Sequence, residues 1–136
     1  MKTVFADTFY FLALLSPEDE HHERVKEYAA AFRGEIVTTE WVLTEVANGL
    51  SGSPHRREAA RLIATLPRLP NVIVIQSHPE LFQLGTRLYG DRPDKEWSLT
   101  DYISFVVMRD EEVAEALTHD RHFKQAGFTP IFADAP

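Results

Sequence analysis

A chain of 136 residues, 44% hydrophobic and 26% charged, has the makeup of one globular domain over residues 1–136, with enough length to bury a core unaided. It has no cysteine, which excludes a disulfide framework, thiolate zinc, iron–sulfur clusters and a cysteine nucleophile. Fourteen basic residues against 21 acidic ones, a net charge of -7, oppose broad non-specific binding to nucleic acid, but not a site where carboxylates hold cations that then meet phosphate.

Short strands and helices alternate along the chain. Residues 3–6 read as a strand that ends at Asp7, and residues 8–15 as an apolar helix. That apolar stretch is too short to cross a membrane and has no signal-peptide cleavage pattern, so a cytoplasmic protein is expected. Ser16-Pro17 breaks the helix. Residues 18–32, rich in His, Glu and Ala, form a second helix closed by Gly34. Residues 35–38 make a short strand, and Thr39 can cap a third helix running to about residue 50. After a loop at 51–54, a basic helix spans about 55–66 and Pro67 ends it. Val72-Ile73-Val74-Ile75 centres an unbroken β-branched run over 71–76, the pattern of a strand buried on both faces of a parallel sheet. Residues 79–89 are helical and 90–97 form a polar loop. Ser98 can cap a helix that extends through Met108. A strand at 114–118, a short helix at 122–126 and a last strand at 131–133 complete the series. This alternation predicts a three-layer α/β/α sandwich around a mainly parallel sheet. In such folds ligands collect at the carboxyl ends of the strands, where Asp7 and Asp120 fall.

Four acids draw attention. Asp7 and Asp120 each follow a strand, where they can cap the next helix or project a carboxylate from the sheet edge. Asp101, three residues after Ser98, fits a capping box, and a first-turn acid can cap and still point into a cleft. Capping cannot explain Glu45. It lies in mid-helix beside the apolar stripe of Val42, Val46 and Leu50, either with its stem packed and its head in solvent or with its head in a site. Four oxygen donors without thiolates suit Mg²⁺ or Mn²⁺ better than zinc.

The other chemical groups say less. His21 and His22 sit in an acidic, exposed-looking segment, and His119 and His122 flank Asp120, where they read as exposed loop histidines or as groups that touch substrate. Arg56, Arg57, Arg61, Arg68, Lys95, Arg121 and Lys124 form solvated faces or steer phosphate. The sequence has neither a glycine-rich phosphate loop nor a serine nucleophile motif.

Val4-Phe5-Ala6-Asp7-Thr8, Glu45 in the helix after the second strand, Trp97-Ser98-Leu99-Thr100-Asp101, and Leu117-Thr118-His119-Asp120-Arg121-His122-Phe123 followed by Gly127-Phe128 together resemble the PIN-domain family, in particular its VapC-like toxins. The resemblance covers nearly the whole chain. It implies an endoribonuclease whose acids form a metal site for Mg²⁺ or Mn²⁺, and this carries over to Asp7, Glu45, Asp101 and Asp120. Asp7 and Asp101 would be the main ligands, with Glu45 and Asp120 completing the site. Thr8 and Thr118 match polar positions beside the first and last acids. It also implies an RNA substrate, a cognate antitoxin and a homodimer, for which Phe82, Leu84 and Tyr89 on the fifth helix offer apolar surface. Two other readings compete: a non-catalytic PIN-like module that binds RNA or protein, and another Mg²⁺-dependent phosphoryl hydrolase. A haloacid-dehalogenase-like enzyme would need a second Asp in Asp7-Thr8-Phe9, and a receiver domain would need paired early acids and a placed late lysine, which are not found.

Overall fold

The computed structural model describes residues 1–134. Its strands are β1 (Thr3–Ala6), β2 (Glu35–Thr39), β3 (Val72–Ile75), β4 (Glu115–Leu117) and β5 (Thr129–Pro130). Its helices are α1 (Thr8–Leu15), α2 (His22–Ala31), α3 (Glu40–Gly49), α4 (Arg56–Thr65), α5 (Pro79–Asp91), α6 (Leu99–Asp110) and α7 (Arg121–Gln125), and a 3-10 turn at Leu66–Arg68 joins α4 to β3. The strands run in the order β3-β2-β1-β4-β5, and every neighbouring pair is parallel. This is the expected α/β/α architecture, with a sheet parallel throughout.

The sequence explains most of these elements. Val4, Phe5 and Ala6 are completely buried, as expected of the central strand of a covered parallel sheet. Helix α6 buries residues 101–108 without a break, so it is a core helix rather than an amphipathic surface one. Its close approach to α5 depends on Gly85, where a Cβ would lie 2.6 Å from Ile103 Cγ1. The chain winds outward from β1 through β2 to β3, then returns to the other side of β1 with β4. That reversal opens a crevice at the carboxyl ends of β1 and β4, the switch point where open α/β sheets bind ligands.

Three expectations are corrected. Strand β3 is an edge strand, paired with β2 alone; Val72 is buried but Ile73 is exposed. Its β-branched run reflects strand propensity, whereas burial on both faces depends on a strand order that local sequence does not reveal. Helix α2 starts at His22, because Asp19 Oδ1 accepts the His21 N–H (2.8 Å) and turns the backbone before the helix begins. The last strand is Thr129–Pro130 rather than 131–133. Residues 131 and 132 leave the ladder as a turn, although their N–H groups still bond Ala116 O and Thr118 O of the neighbouring segment (2.9 and 3.0 Å). Among the described residues, no helix is long and apolar enough to cross a membrane.

Candidate active site

Asp7 stands at the carboxyl end of β1, directly over the switch point. It precedes α1, but its carboxylate turns to Thr118 instead of capping that helix. Thr118, wholly buried just beyond β4, donates Oγ1–H to Asp7 Oδ2 (2.9 Å) and accepts the Asp120 N–H on the same oxygen (3.1 Å). One hydroxyl therefore ties the two strand-end acids together. Glu45, in the middle of α3, accepts a hydrogen bond from Thr8 Oγ1 at 2.6 Å. Asp101 does two things. Its backbone N–H bonds Ser98 Oγ (3.0 Å), while Oδ2 accepts both the Ser98 N–H (3.1 Å) and His122 Nδ1 (3.1 Å). Asp120 caps α7 through Oδ1, which accepts the His122 N–H at 2.8 Å.

All four acids line one cleft of about 830 Å³, together with Phe9, Ser98, His119, Arg121, His122 and Lys124. Packing carboxylates this way is electrostatically unfavourable. Burial pushes the Asp7 carboxyl up to about 7; the Thr8 N–H and the Thr118 hydroxyl oppose this, and the charges of Asp101 and Glu45 add to it. Burial also raises Asp101, against the pull of Ser98 and His122 and with a further push from Asp120. Asp101, Asp120 and His122 each place a ligand atom within 4.8 Å of the others. The donors are carboxylates and an imidazole with no sulfur, and the excess negative charge calls for a cation. The residues present fit a hard divalent ion.

The structure separates readings that sequence left open. The carboxylates of Asp101 and Asp120 do cap helices and still line the cleft, so capping does not keep either of them out of it. The carboxylate of Asp7 is free of that duty. His122, expected as an exposed loop histidine, is instead a half-buried bridge between Asp101 and Asp120, with Nδ1 3.1 Å from one and 3.4 Å from the other. Its one sequence signal was its place two residues after Asp120. His21 and His22 are not freely exposed: His21 packs edge-on against Phe9, and His22 Nδ1 bonds Ala13 O at 2.7 Å. Among the basic residues, Arg121 and Lys124 line the cleft, whereas Arg56 and Arg57 line a separate groove beside Pro54. Lys95 lies over the Trp97 ring, 5.1 Å from its centroid.

The chain is 27% identical over 129 residues to the 23S rRNA-specific endonuclease VapC20 of Mycobacterium tuberculosis, covering 94% of this chain and 97% of that one. The crystal structure of the same protein, described as a sarcin–ricin loop cleaving toxin, superposes with a TM-score of 0.84 at 26% identity, over 94% of this chain and 98% of that one. FitAcB from Neisseria gonorrhoeae (TM-score 0.65, 16% identity, 95% and 96% coverage) and a toxin–antitoxin complex from Klebsiella pneumoniae (0.61, 15%, 87% and 87%) share the fold. The PIN domain pattern matches residues 4–129, and the chain belongs to the PIN domain family.

Proposed function

We propose that this chain is a divalent-metal-dependent endoribonuclease, the toxin of a toxin–antitoxin pair, acting inside the cell. The observation that carries this reading is the gathering of Asp7, Glu45, Asp101 and Asp120, from four separate stretches of chain, along one cleft at the sheet's switch point. Likeness to VapC20 over almost the full length of both chains supports the activity and makes the sarcin–ricin loop of 23S rRNA the first RNA to test.

Asp7 and Asp101 would be the main ligands, with Glu45 and Asp120 completing the set and His122 beside them. Mg²⁺ or Mn²⁺ held there would supply Lewis-acid chemistry, offsetting phosphodiester charge and making water a better nucleophile. The protein's own part is preorganisation. Thr118 holds Asp7 and the Asp120 backbone in fixed relation, Thr8 aims Glu45, and Ser98 and His122 hold Asp101. Glu45 is half-buried and lines the cleft, a position from which a carboxylate can take the proton from attacking water. Arg121 and Lys124 add positive charge along the route of the RNA backbone.

The proposal extends to partners. An antitoxin is the expected protein partner, as supported by likeness to VapC20, a toxin. A second copy of the chain would cover Phe82, Leu84 and Tyr89, which α5 leaves 47%, 37% and 54% exposed. Light scattering is expected to return a dimer mass, and a monomer at high concentration would refute that part.

The deciding experiment incubates purified wild type, Asp7→Asn and Asp101→Asn with RNA containing the sarcin–ricin loop, in Mg²⁺, Mn²⁺ or EDTA. Only the wild type with metal should cut. Equal cleavage by both variants under saturating Mg²⁺ would make these acids structural caps. Folded wild type that cuts no RNA would favour the non-catalytic binding module.

A further inference from the structure

The acidic cleft has an aromatic wall that metal and phosphate chemistry does not require. Phe9 and His119, both lining the cleft, stack with ring centroids 5.7 Å apart and planes 25° from parallel. His21 closes the group, 5.1 Å from Phe9 and 4.7 Å from His119. The wall is held in place from behind. His119 Nε2 bonds Asp134 Oδ2 at 3.0 Å, and Asp134 Oδ1 meets Arg24 at 3.6 Å, while Phe9 rests on Phe132 (centroids 5.8 Å). His119 nevertheless keeps 38% of its side chain exposed, and Phe9 is only half-buried. Aromatic surface left open beside an acidic cleft suits a ligand that is anionic at one end, where a cation joins it to the acids, and flat and apolar at the other.

A nucleotide has both properties. Proteins that read single-stranded RNA stack splayed bases on Phe, Tyr, Trp and His, and any base has a π-face to offer. Resting on the ribonuclease reading above, we propose that the partly exposed His119, backed by Phe9, forms a stacking wall for one unpaired nucleobase next to the cleaved phosphodiester. The acids and their cation then hold the phosphate while the wall sets which nucleotide lies beside it. Cleavage is thereby directed to RNA whose bases are already unstacked, as in a loop, rather than to regular duplex.

The probe is a single-stranded tetraribonucleotide carrying one 2-aminopurine, whose fluorescence is quenched by stacking. It is titrated with wild type, His119→Ala, Phe9→Leu and His119→Tyr in Ca²⁺, with probe integrity checked on a gel and each variant's fold by circular dichroism. Wild type should quench the probe. His119→Ala and Phe9→Leu should bind it roughly tenfold more weakly with quenching lost, and His119→Tyr should restore both. In Mg²⁺, the same two losses should raise KM more than they lower kcat. An abasic version of the oligonucleotide, its affinity read by competition against the fluorescent probe, should bind wild type and His119→Ala equally. Folded His119→Ala and Phe9→Leu proteins that bind and quench like wild type would overturn the stacking wall while leaving the nuclease reading intact. A wild type that quenches the probe but cuts no RNA would overturn the nuclease reading and leave the wall standing as a binding surface.

Discussion

Replacing Asp7 with Asn should stabilise the metal-free protein while destroying its activity, and the gain should depend on pH in a calculable way. The Asp7 carboxyl rises from its ordinary 3.8 to about 7 in the folded chain, chiefly through burial. At about 1.4 kcal/mol per pH unit, this corresponds to roughly 4 kcal/mol. The folded state holds the proton more tightly than the unfolded chain, so stability is full below about pH 4, falls as pH rises, and levels off above about pH 7. Asn keeps an oxygen for the Thr118 hydroxyl but cannot titrate, so the variant escapes this loss. Its NH₂ group, short of partners, should cost about 1–3 kcal/mol at every pH. The variant is therefore expected to match or trail wild type near pH 4 and exceed it by about 1–3 kcal/mol at pH 8. The assay is urea denaturation in EDTA across that range, repeated with Mg²⁺, which should stabilise wild type and not Asp7→Asn. A stability difference that stays flat between pH 4 and pH 8 would refute the reasoning, because Asp7 would then not be a buried acid under electrostatic strain.

Three other outcomes follow from the geometry. Thr118→Val removes the hydroxyl that joins Asp7 to the Asp120 backbone without changing side-chain shape, so Mg²⁺ affinity measured by calorimetry should fall roughly 10–100-fold, and unchanged affinity would count against this linkage. His122→Ala releases Asp101 and Asp120 from their shared imidazole and should lower RNA cleavage about tenfold or more with little change in thermal midpoint; a full-rate enzyme would make the bridge incidental. Gly85→Ala would place a Cβ 2.6 Å from the buried Ile103, and this overpacking, about 1–3 kcal/mol, should outweigh the roughly 1 kcal/mol helix preference for Ala. Urea denaturation should therefore register a loss, and a more stable variant would show that α5 can shift freely.

How far the site could be read in advance depended on whether local rules governed each residue. Ser98 and Asp101 form the capping box that their spacing implied, although Asp stands where Glu or Gln is usual. Glu45 stood out because no cap rule explains a mid-helix acid beside an apolar stripe, and its partner Thr8 could be suspected only by resemblance. What remained hidden depends on contacts between distant segments. The place of β3 at the sheet edge is a matter of strand order, and no property of Val72-Ile73-Val74-Ile75 encodes it. His122 looked like a loop residue because the carboxylate that receives its Nδ1 lies 21 positions away in α6. The aromatic wall is similar: Phe9, His21 and His119 meet only because β4 returns to lie beside β1.

The bond from Thr118 to Asp7 spans 111 positions of sequence and joins the first strand to the fourth across the middle of the sheet. During synthesis, Asp7 leaves the ribosome 111 positions ahead of Thr118, and it has no cradle until Thr118 and Asp120 have followed. At about 5–20 residues per second, that interval lasts on the order of 5–25 s. Long-range parallel pairing of this kind is also slow to form once the chain is free. A nascent or prematurely ended chain thus carries Asp7 and Glu45 but not the later acids Asp101 and Asp120 that line the cleft with them. The cleft is therefore a late product of synthesis, assembled only once the segment after β4 has met the end of β1.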